Sequence, residues 1–385
     1  MFEIVNDQAH GPVIKVIGVG GAGGNAVNHM IRRGVEKVEF IAVNTDAQVL
    51  ARNQARNQIQ LGNSGLGAGA RPDEAKAVAL AERDRLEEAI AGAHMVFITA
   101  GMGGGTGTGA APVLAEIARA LGVLTVAVVT KPFTWEGSKR LKIADTGIDE
   151  LAPHVDSLIV ILNDRLEEVL GDDVTQVEAF SAADNVLCSA VGGIVDIIHR
   201  DGLVNVDFQD VRTVMLEQGM AMMGSAVANG IDRARIAAEQ AIACPLLEGV
   251  NLAGARGVLV NITATRESLR HGEVKAVMNT IRSFAADDAT IIFGAVYDTE
   301  MLEDLRVTVV ATGLGTPAAA RQPKPQLVMT QKTGTDNQPV GGAVDYHQLD
   351  APAVIRKNRA SQVEALQQSG MEKYDIPAFL RKQAD

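Results

Sequence analysis

The sequence predicts an α/β protein in several parts: a parallel-sheet domain, a long central helix, a second and smaller α/β domain, a disordered linker and a C-terminal docking peptide. Apolar strands alternate with helices across residues 13–176, which is typical of a parallel sheet covered on both faces. Residues 177–199 are apolar at helical spacing and predict a buried central helix. Strands and helices mix in residues 200–316, whereas residues 317–370 carry proline, glutamine and glycine without an apolar period.

Composition excludes several functional classes. The net charge of −12 and an aromatic content of 3% argue against nucleic-acid binding and against direct adhesion to an anionic membrane. Cys188 and Cys244 give neither a disulfide framework nor a metal spacing, and the histidines form no ligand pair. The N-terminus lacks signal-peptide features, and no apolar run approaches the roughly 20 residues of a membrane span. We therefore expect a cytoplasmic protein with no nucleic-acid partner, no protein-built metal site and no direct membrane insertion.

The first strand carries a glycine motif. Residues 1–12 are predicted to be a flexible arm, and the strand that follows leads into G-x-G-x-x-G at Gly18, Gly20 and Gly23. This is the Rossmann-like dinucleotide motif in its strand–turn–helix setting. The next strand ends near Asp46, where a Rossmann protein places a ribose-binding acid. On these residues alone, a nicotinamide-dependent oxidoreductase remains an alternative.

A second glycine-rich loop, Gly103–Gly109, is more informative, because five of its seven residues are glycine and the other two are threonine. It joins an apolar strand at residues 94–100 to a helix at residues 110–121. Bare backbone N–H groups can close around phosphate oxygens, and the helix dipole adds positive potential. A third glycine-rich loop covers residues 62–70. These loops at strand ends are predicted to converge on one edge of the sheet as an anion site.

The segment after the central helix contains Asn205, Asp207 and Asp210. Its spacing fits a helix start, with Asp207 as N-cap and Asp210 three residues on. A helix is predicted from there through about Met223. Further helices and strands are predicted for the second domain: helices near 232–243 and 272–285, and strands at 257–264, 289–296 and 305–312.

The last residues, 371–385, differ from the linker before them. Asp375 can cap a helix, Pro377 suits its first turn, and an apolar face follows. After a disordered linker, such a face predicts a docking peptide for a groove on a partner.

No G-K-[ST] follows the central glycine loop, so the chain is not a P-loop NTPase. Gly103–Gly109 instead resembles the signature of the tubulin-like GTPases. With the first loop, the segment at residues 205–210 and the tail, the chain resembles the FtsZ family, the bacterial tubulin homologues that build the division ring. The resemblance covers all of the chain except the linker. It implies a GTP-dependent, self-assembling GTPase at the midcell division ring, on the inner face of the membrane.

The resemblance also assigns nucleotide-binding residues. The residues matched to GTP or GDP phosphate-binding loops are Gly20, Gly21, Ala22, Gly23, Gly24, Asn25, Gly103, Gly104, Gly105, Thr106, Gly107, Thr108 and Gly109, with Ala70 near the γ-phosphate. Glu136 and Arg140 match a ribose- and phosphate-contacting pair, although their spacing also fits a simple helix ion pair. Asn163 and Asp184 match guanine-reading positions. Phe180 matches a base-stacking position, although its spacing also fits a core residue.

The same resemblance makes Asp207, Asp210 and Asn205 catalytic residues that complete the site of the next subunit in a head-to-tail filament. Mg²⁺ would be held mainly by the nucleotide phosphates. Membrane-tethering adaptors such as FtsA and ZipA, and assembly regulators, would bind the tail through Asp375, Ile376, Pro377, Phe379, Leu380 and Arg381. Three positions depart from the family pattern: Trp135, Asp201 and Gln209. A nucleotide-holding scaffold without turnover is a further alternative, but the presence of both aspartates argues against it.

Overall fold

The computed structural model describes residues 11–171, 173–200, 202–204, 206–217, 219–244, 254–286 and 288–314. The predicted linker and tail, most of the N-terminal arm, and positions 201 and 205 therefore lie outside the described residues.

The described chain alternates between strands and helices. The strands are β1 (Ile14–Val19), β2 (Glu39–Asn44), β3 (Asn57–Gln60), β4 (Met95–Gly101), β5 (Leu124–Lys131), β6 (Ser157–Leu162), β7 (Gly202–Val204), β8 (Met220–Ala228), β9 (Gly257–Ala264), β10 (Thr290–Tyr297) and β11 (Leu305–Leu314). The α-helices are α1 (Gly20–Arg32), α2 (Ala47–Ala51), α3 (Pro72–Ala81), α4 (Arg83–Ile90), α5 (Thr106–Ala120), α6 (Ser138–Leu151), α7 (Asn163–Leu170), α8 (Gln176–His199), α9 (Phe208–Met215), α10 (Arg233–Ile242) and α11 (His271–Arg282).

Within the described ranges these strands form one sheet, in the order β3-β2-β1-β4-β5-β6-β8-β11-β9-β10-β7. Every neighbouring pair from β3 to β6 is parallel. A short parallel pairing of Leu158 with Met220 joins this half to the second. There β11 is antiparallel to both β8 and β9, β10 is parallel to β9, and β7 is an antiparallel edge. The predicted α/β class with a mostly parallel sheet is confirmed.

The apolar strands of the first half are buried on both faces. Successive side chains of a strand point to opposite faces, and Val16 packs in a different core cluster from Ile17. Phe97 and Ile98 divide in the same way between the two clusters. This two-sided burial explains why the strands are continuously apolar rather than alternating.

The predicted central helix is α8, which begins one residue earlier than expected. A capping box starts it: Glu178 N–H donates to Thr175 Oγ1 at 3.3 Å, and Thr175 N–H donates to Glu178 Oε2 at 2.8 Å. By length and composition α8 could cross a membrane, yet half of its most apolar window is buried inside the protein. At about 1.5 Å per residue, its 24 residues extend for roughly 36 Å. The helix packs against α1 and also contacts β9 and β10 in the second half of the sheet.

One predicted element is wrong. The helix expected through Met223 ends at Met215, and residues Met220–Ala228 form the strand β8. The helix has ended with Leu216 as its C-cap, and Gly219, directly before β8, has a φ of 146°, which favours glycine. The strand pairs antiparallel with β11, and this long-range pairing outweighs the local preference for helix in these residues.

Two local structures also differ from the expectation. Glu136 and Arg140 do not share one helix, because Thr134–Glu136 form a short 3-10 turn, Gly137 takes a φ of 105° and α6 begins at Ser138. The glycine segments at positions 20–25 and 106–109 belong to the first turns of α1 and α5 instead of free loops.

Candidate functional site

The carboxyl ends of the central parallel strands meet at one edge of the sheet, as the register requires. Val19 pairs with Ala100, and Ala100 pairs with Val129. The segments that follow β1, β4, β5 and β6 therefore lie side by side. Seven of the predicted site residues line one cleft at this edge: Ala22, Asn25, Glu136, Arg140, Asn163, Phe180 and Asp184.

Two helices begin beside this cleft without a side-chain cap. The first N–H groups of α1 and α5 therefore have no hydroxyl or carboxylate partner at their N-cap positions. The two starts lie against each other, since a Cβ on Gly20 would be 2.9 Å from the backbone N of Gly107. A Cβ on Gly107 would in turn be 2.6 Å from the carbonyl oxygen of Gly101. Only glycine allows the backbones to lie this close. The close approach brings the backbone N–H donors and the helix dipoles of α1 and α5 together beside the cleft.

The two threonines of the central glycine segment stabilise it from within. Thr108 is buried, and its hydroxyl oxygen accepts the Gly103 N–H at 2.9 Å. The Thr106 hydroxyl lies 2.7 Å from the hydroxyl of Thr45. These bonds fix the turn before α5 and leave its outward backbone N–H groups for a ligand.

The loop at residues 62–70 packs against the start of α5. A Cβ on Gly105 would lie 3.2 Å from the backbone N of Ala70. Ala70 has a φ of 55°, which is uncommon for a residue with a side chain. The structure thus brings Ala70 to the central glycine segment, as predicted from the convergence of strand ends.

Glu136 and Arg140 form the ion pair that their spacing allows, with Arg140 Nη1 3.0 Å from Glu136 Oε2. The other carboxylate oxygen of Glu136 accepts the Phe133 N–H at 2.9 Å, and the Glu136 side chain is 8% exposed. Arg140 is exposed. The pair therefore presents a buried, hydrogen-bonded carboxylate and an exposed cation at the cleft.

The side chains at the opposite wall suit a polar, flat ligand. Asn163 is buried, and its Oδ1 has no hydrogen-bond partner among the described residues. Asp184 is half-buried, and burial raises the pKa of its carboxyl to about 6, although Arg32 opposes the shift. Phe180 is 41% exposed and meets Phe133 edge to face, so it is not a core residue.

Asp46, the acid that the nicotinamide alternative would place at a ribose, is the N-cap of α2. Its Oδ1 accepts the N–H groups of Gln48 at 2.8 Å and Val49 at 3.2 Å.

Asp207 and Asp210 do not reach the cleft. Asp207 is the N-cap of α9 and accepts the Asp210 N–H at 2.7 Å, as the helix-start interpretation expects. Their neighbour Phe208 lies with its ring 6.2 Å from the ring of His94. His94 precedes β4, whose other end is the cleft edge, roughly 20 Å away at about 3.3 Å per residue. Both carboxylates are exposed on the opposite edge of the sheet.

Three contacts at the cleft were not predicted: those of Thr45, Phe133 and Asp164. Each depends on a partner distant in sequence, so neither composition nor spacing indicates it. A group of three or more metal-ligating side chains is not found in the described part of the chain.

Known proteins match the chain along its length. A family model described as "Tubulin/FtsZ family, GTPase domain" matches residues 13–171, and one described as "FtsZ family, C-terminal domain" matches residues 219–315. The cell division protein FtsZ of Pseudomonas aeruginosa is 53% identical over 100% of both chains, and that of Coxiella burnetii is 52% identical over 99% of both. A solved FtsZ dimer, empty, from M. jannaschii has a TM-score of 0.75 and 42% identity, covering 79% of this chain and 88% of that one.

Fold and cleft together define a GTPase of the tubulin class, with glycine-rich helix starts in place of a P-loop. Identity over the full length then narrows the class: the chain belongs to the FtsZ family of cell division proteins.

Proposed function

We propose that this protein assembles head to tail into filaments of the bacterial division ring and hydrolyses GTP only at the junction between consecutive subunits. The observation that carries the proposal is the separation of two half-sites. The cleft lies at the carboxyl edge of the parallel strands, whereas Asp207 and Asp210 lie at the opposite edge, beside His94. A single chain cannot bring them together, but stacked copies can.

The cleft supports a guanine nucleotide in a defined orientation. The uncapped starts of α1 and α5, with Ala70 beside them, would bind the phosphates. Glu136 would accept from a ribose hydroxyl, and Arg140 would reach a phosphate oxygen. Asp184 would accept from the guanine N1–H and exocyclic amine, Asn163 would bond the base, and Phe180 would stack on it.

Catalysis would come from the next subunit. Asp207 and Asp210 would orient a water and help to position a cation at the γ-phosphate, and Asn205, which lies outside the described residues, would assist. Mg²⁺, held mainly by the phosphates, would neutralise charge as it develops on the transferred group. The described residues supply carboxylates at the junction but no cluster that would bind the ion alone.

Partners beyond the chain itself are proposed from the tail. Asp375, Ile376, Pro377, Phe379, Leu380 and Arg381 would dock into adaptors that tether the filament to the inner face of the membrane at midcell. Residues 317–370 would act as the tether, and residues 13–176 and 200–316 would form the two α/β domains.

Hydrolysis as a function of protein concentration tests the shared site. We expect GTP turnover per chain to rise from near zero above a threshold concentration, because the site forms only on assembly. Asp210→Ala should retain GTP binding and lose turnover. Turnover per chain that is independent of concentration, or unchanged in Asp210→Ala, would refute the shared site.

A further inference from the structure

Asp164 forms a two-point contact between two segments of the nucleotide cleft. It follows Asn163 in the first turn of α7. Its Oδ1 accepts the backbone N–H of Thr134 at 2.7 Å, and its Oδ2 accepts the Thr134 hydroxyl at 2.5 Å. The two residues are 30 positions apart in sequence, so this contact is tertiary.

Thr134 begins the 3-10 turn that carries Glu136 into the cleft. On one side of the turn, Phe133 meets Phe180 edge to face at 5.6 Å. On the other side, Gly137 has a φ of 105°, and a Cβ there would meet no atom within 4 Å. Within the turn, the Gly137 N–H donates to the Thr134 carbonyl oxygen at 3.2 Å, and the Asp164 carboxylate ties the same Thr134 to the first turn of α7.

We propose that Asp164 is a positioning residue for nucleoside binding. It holds the turn that carries Glu136 at a fixed distance from Asn163, which precedes Asp164 in sequence. The ribose-contacting Glu136 and the base-contacting Asn163 are then spaced to bind the two parts of one nucleoside. The proposal rests on the proposed function, because it takes Glu136 and Asn163 as ligand contacts. Asp164 itself is not among the residues that line the cleft.

The physical gain is preorganisation. A turn that must be ordered when ligand binds lowers affinity by the conformational entropy it loses. The carboxylate of Asp164 fixes the turn in advance with two hydrogen bonds, both to a charged acceptor and hence stronger than neutral ones. Affinity for the nucleoside part should therefore depend on Asp164, whereas the γ-phosphate chemistry should not.

GDP binding to the full chain, measured below the assembly threshold, tests this role. We expect Asp164→Ala to weaken GDP binding about tenfold, the effect of losing hydrogen bonds to a charged group. Asp164→Asn keeps an oxygen for the Thr134 N–H and an amide for its hydroxyl, and should restore most of the affinity. Glu168→Ala, an exposed acid on the same helix that pairs with Arg165, is the matched control and should bind GDP normally.

Thr134→Val provides a second approach that does not alter α7. Thr134 is exposed, so this variant folds, and it should weaken GDP binding by about threefold through loss of the hydroxyl bond alone. Combined with Asp164→Ala it should add little, because both changes remove one interaction. When the hydrolysis rate is measured as a function of GTP concentration, KM should rise in each variant by more than kcat falls.

The single tryptophan gives an independent signal. Trp135 lies in the same turn, stacked on Phe133 with ring centroids 5.2 Å apart, and is 53% exposed. In Asp164→Ala its fluorescence should be quenched more by acrylamide before GDP is added. Wild-type protein that binds no GDP would refute the proposed function. Wild-type binding with equal affinity and equal quenching in Asp164→Ala would refute the positioning role alone.

Discussion

Two polar side chains that line the cleft lack full compensation for their burial within the described part of the protein. The buried Oδ1 of Asn163 has no partner among the described residues, and burial raises the pKa of Asp184 to about 6. Polar groups held this way cost free energy unless a partner is supplied. A guanine edge supplies donors that such acceptors lack, and this complementarity favours nucleotide binding over a purely structural role.

The raised pKa of Asp184 predicts a pH dependence of binding. GDP affinity should fall as the pH is lowered through about 6, because the protonated carboxyl no longer accepts from both guanine donors. Asp184→Asn should bind weakly at every pH and lose this dependence. GDP titrations on both sides of pH 6 measure the effect, and a wild-type affinity that is flat across that range would contradict the assignment.

The unliganded protein should show the opposite dependence in its stability. Between the ordinary value of 3.8 and about 6, the folded state binds more protons at Asp184 than the unfolded chain does. Its contribution to the free energy of unfolding therefore falls as the pH rises through this window. The difference in Tm between wild type and Asp184→Asn isolates this contribution from the other carboxylates.

At the residue scale, the sequence patterns indicated which residues belong to the candidate site more reliably than they indicated the contacts and exposure of those residues. The spacing of Glu136 and Arg140 correctly allowed an ion pair, but helical spacing alone favoured a core position for Phe180, which is exposed at the cleft. Periodicity indicates which residues share a helix face, not whether that face opens on a cleft. Asp164 could not be predicted, because its partner is fixed only by the fold.

At the scale of the elements, the starts of α1 and α5 are where the proposed phosphate binding takes place. Gly107→Ala would place a Cβ 2.6 Å from the carbonyl oxygen of Gly101, so the start of α5 must move away from the end of β4. We expect a loss of about 1–3 kcal/mol in the free energy of unfolding and a large loss of GDP affinity. Denaturant unfolding and GDP titration measure the two effects.

Gly192→Ala is the matched control for that change. Its Cβ would meet the Val35 side chain at 3.8 Å, an ordinary contact, in the middle of α8. This variant should bind GDP normally and be as stable as wild type or slightly more stable. Equal behaviour of the two alanine variants would contradict the close approach of the start of α5 to the end of β4.

The sequence predicted helices and strands correctly where an apolar run or a helical period extended over many consecutive residues. The buried strands of the first half and α8 follow directly from apolar runs and period. The strand β8 was missed because its pairing with β11 is long-range, and β3 because it has only four residues. The first turns of α1 and α5 were taken for loops, since glycine lowers helix propensity and only the packing reveals why it is present.

At the scale of the whole molecule, α8 extends from the cleft towards the segment that carries the exposed carboxylates of Asp207 and Asp210. Phe180 and Asp184 lie in its first turns beside the cleft, and its last residue, His199, precedes the segment that carries Asp207. A rise of about 1.5 Å over these residues separates the two ends by nearly 30 Å. The helix thus places the cleft and the exposed carboxylates at opposite ends of one subunit, which is the arrangement that the proposed head-to-tail stacking needs.

Mixing two inactive variants tests the shared site most directly. Asp210→Ala keeps the cleft, whereas Gly21→Glu keeps the carboxylates but places a negative side chain at the start of α1, where a Cβ meets no atom within 4 Å. Each variant alone should hydrolyse little GTP. In a mixture, a junction between the Asp210→Ala cleft and the Gly21→Glu carboxylates is complete, so turnover should exceed the sum of the separate activities. A mixture no more active than that sum would contradict a site shared between subunits.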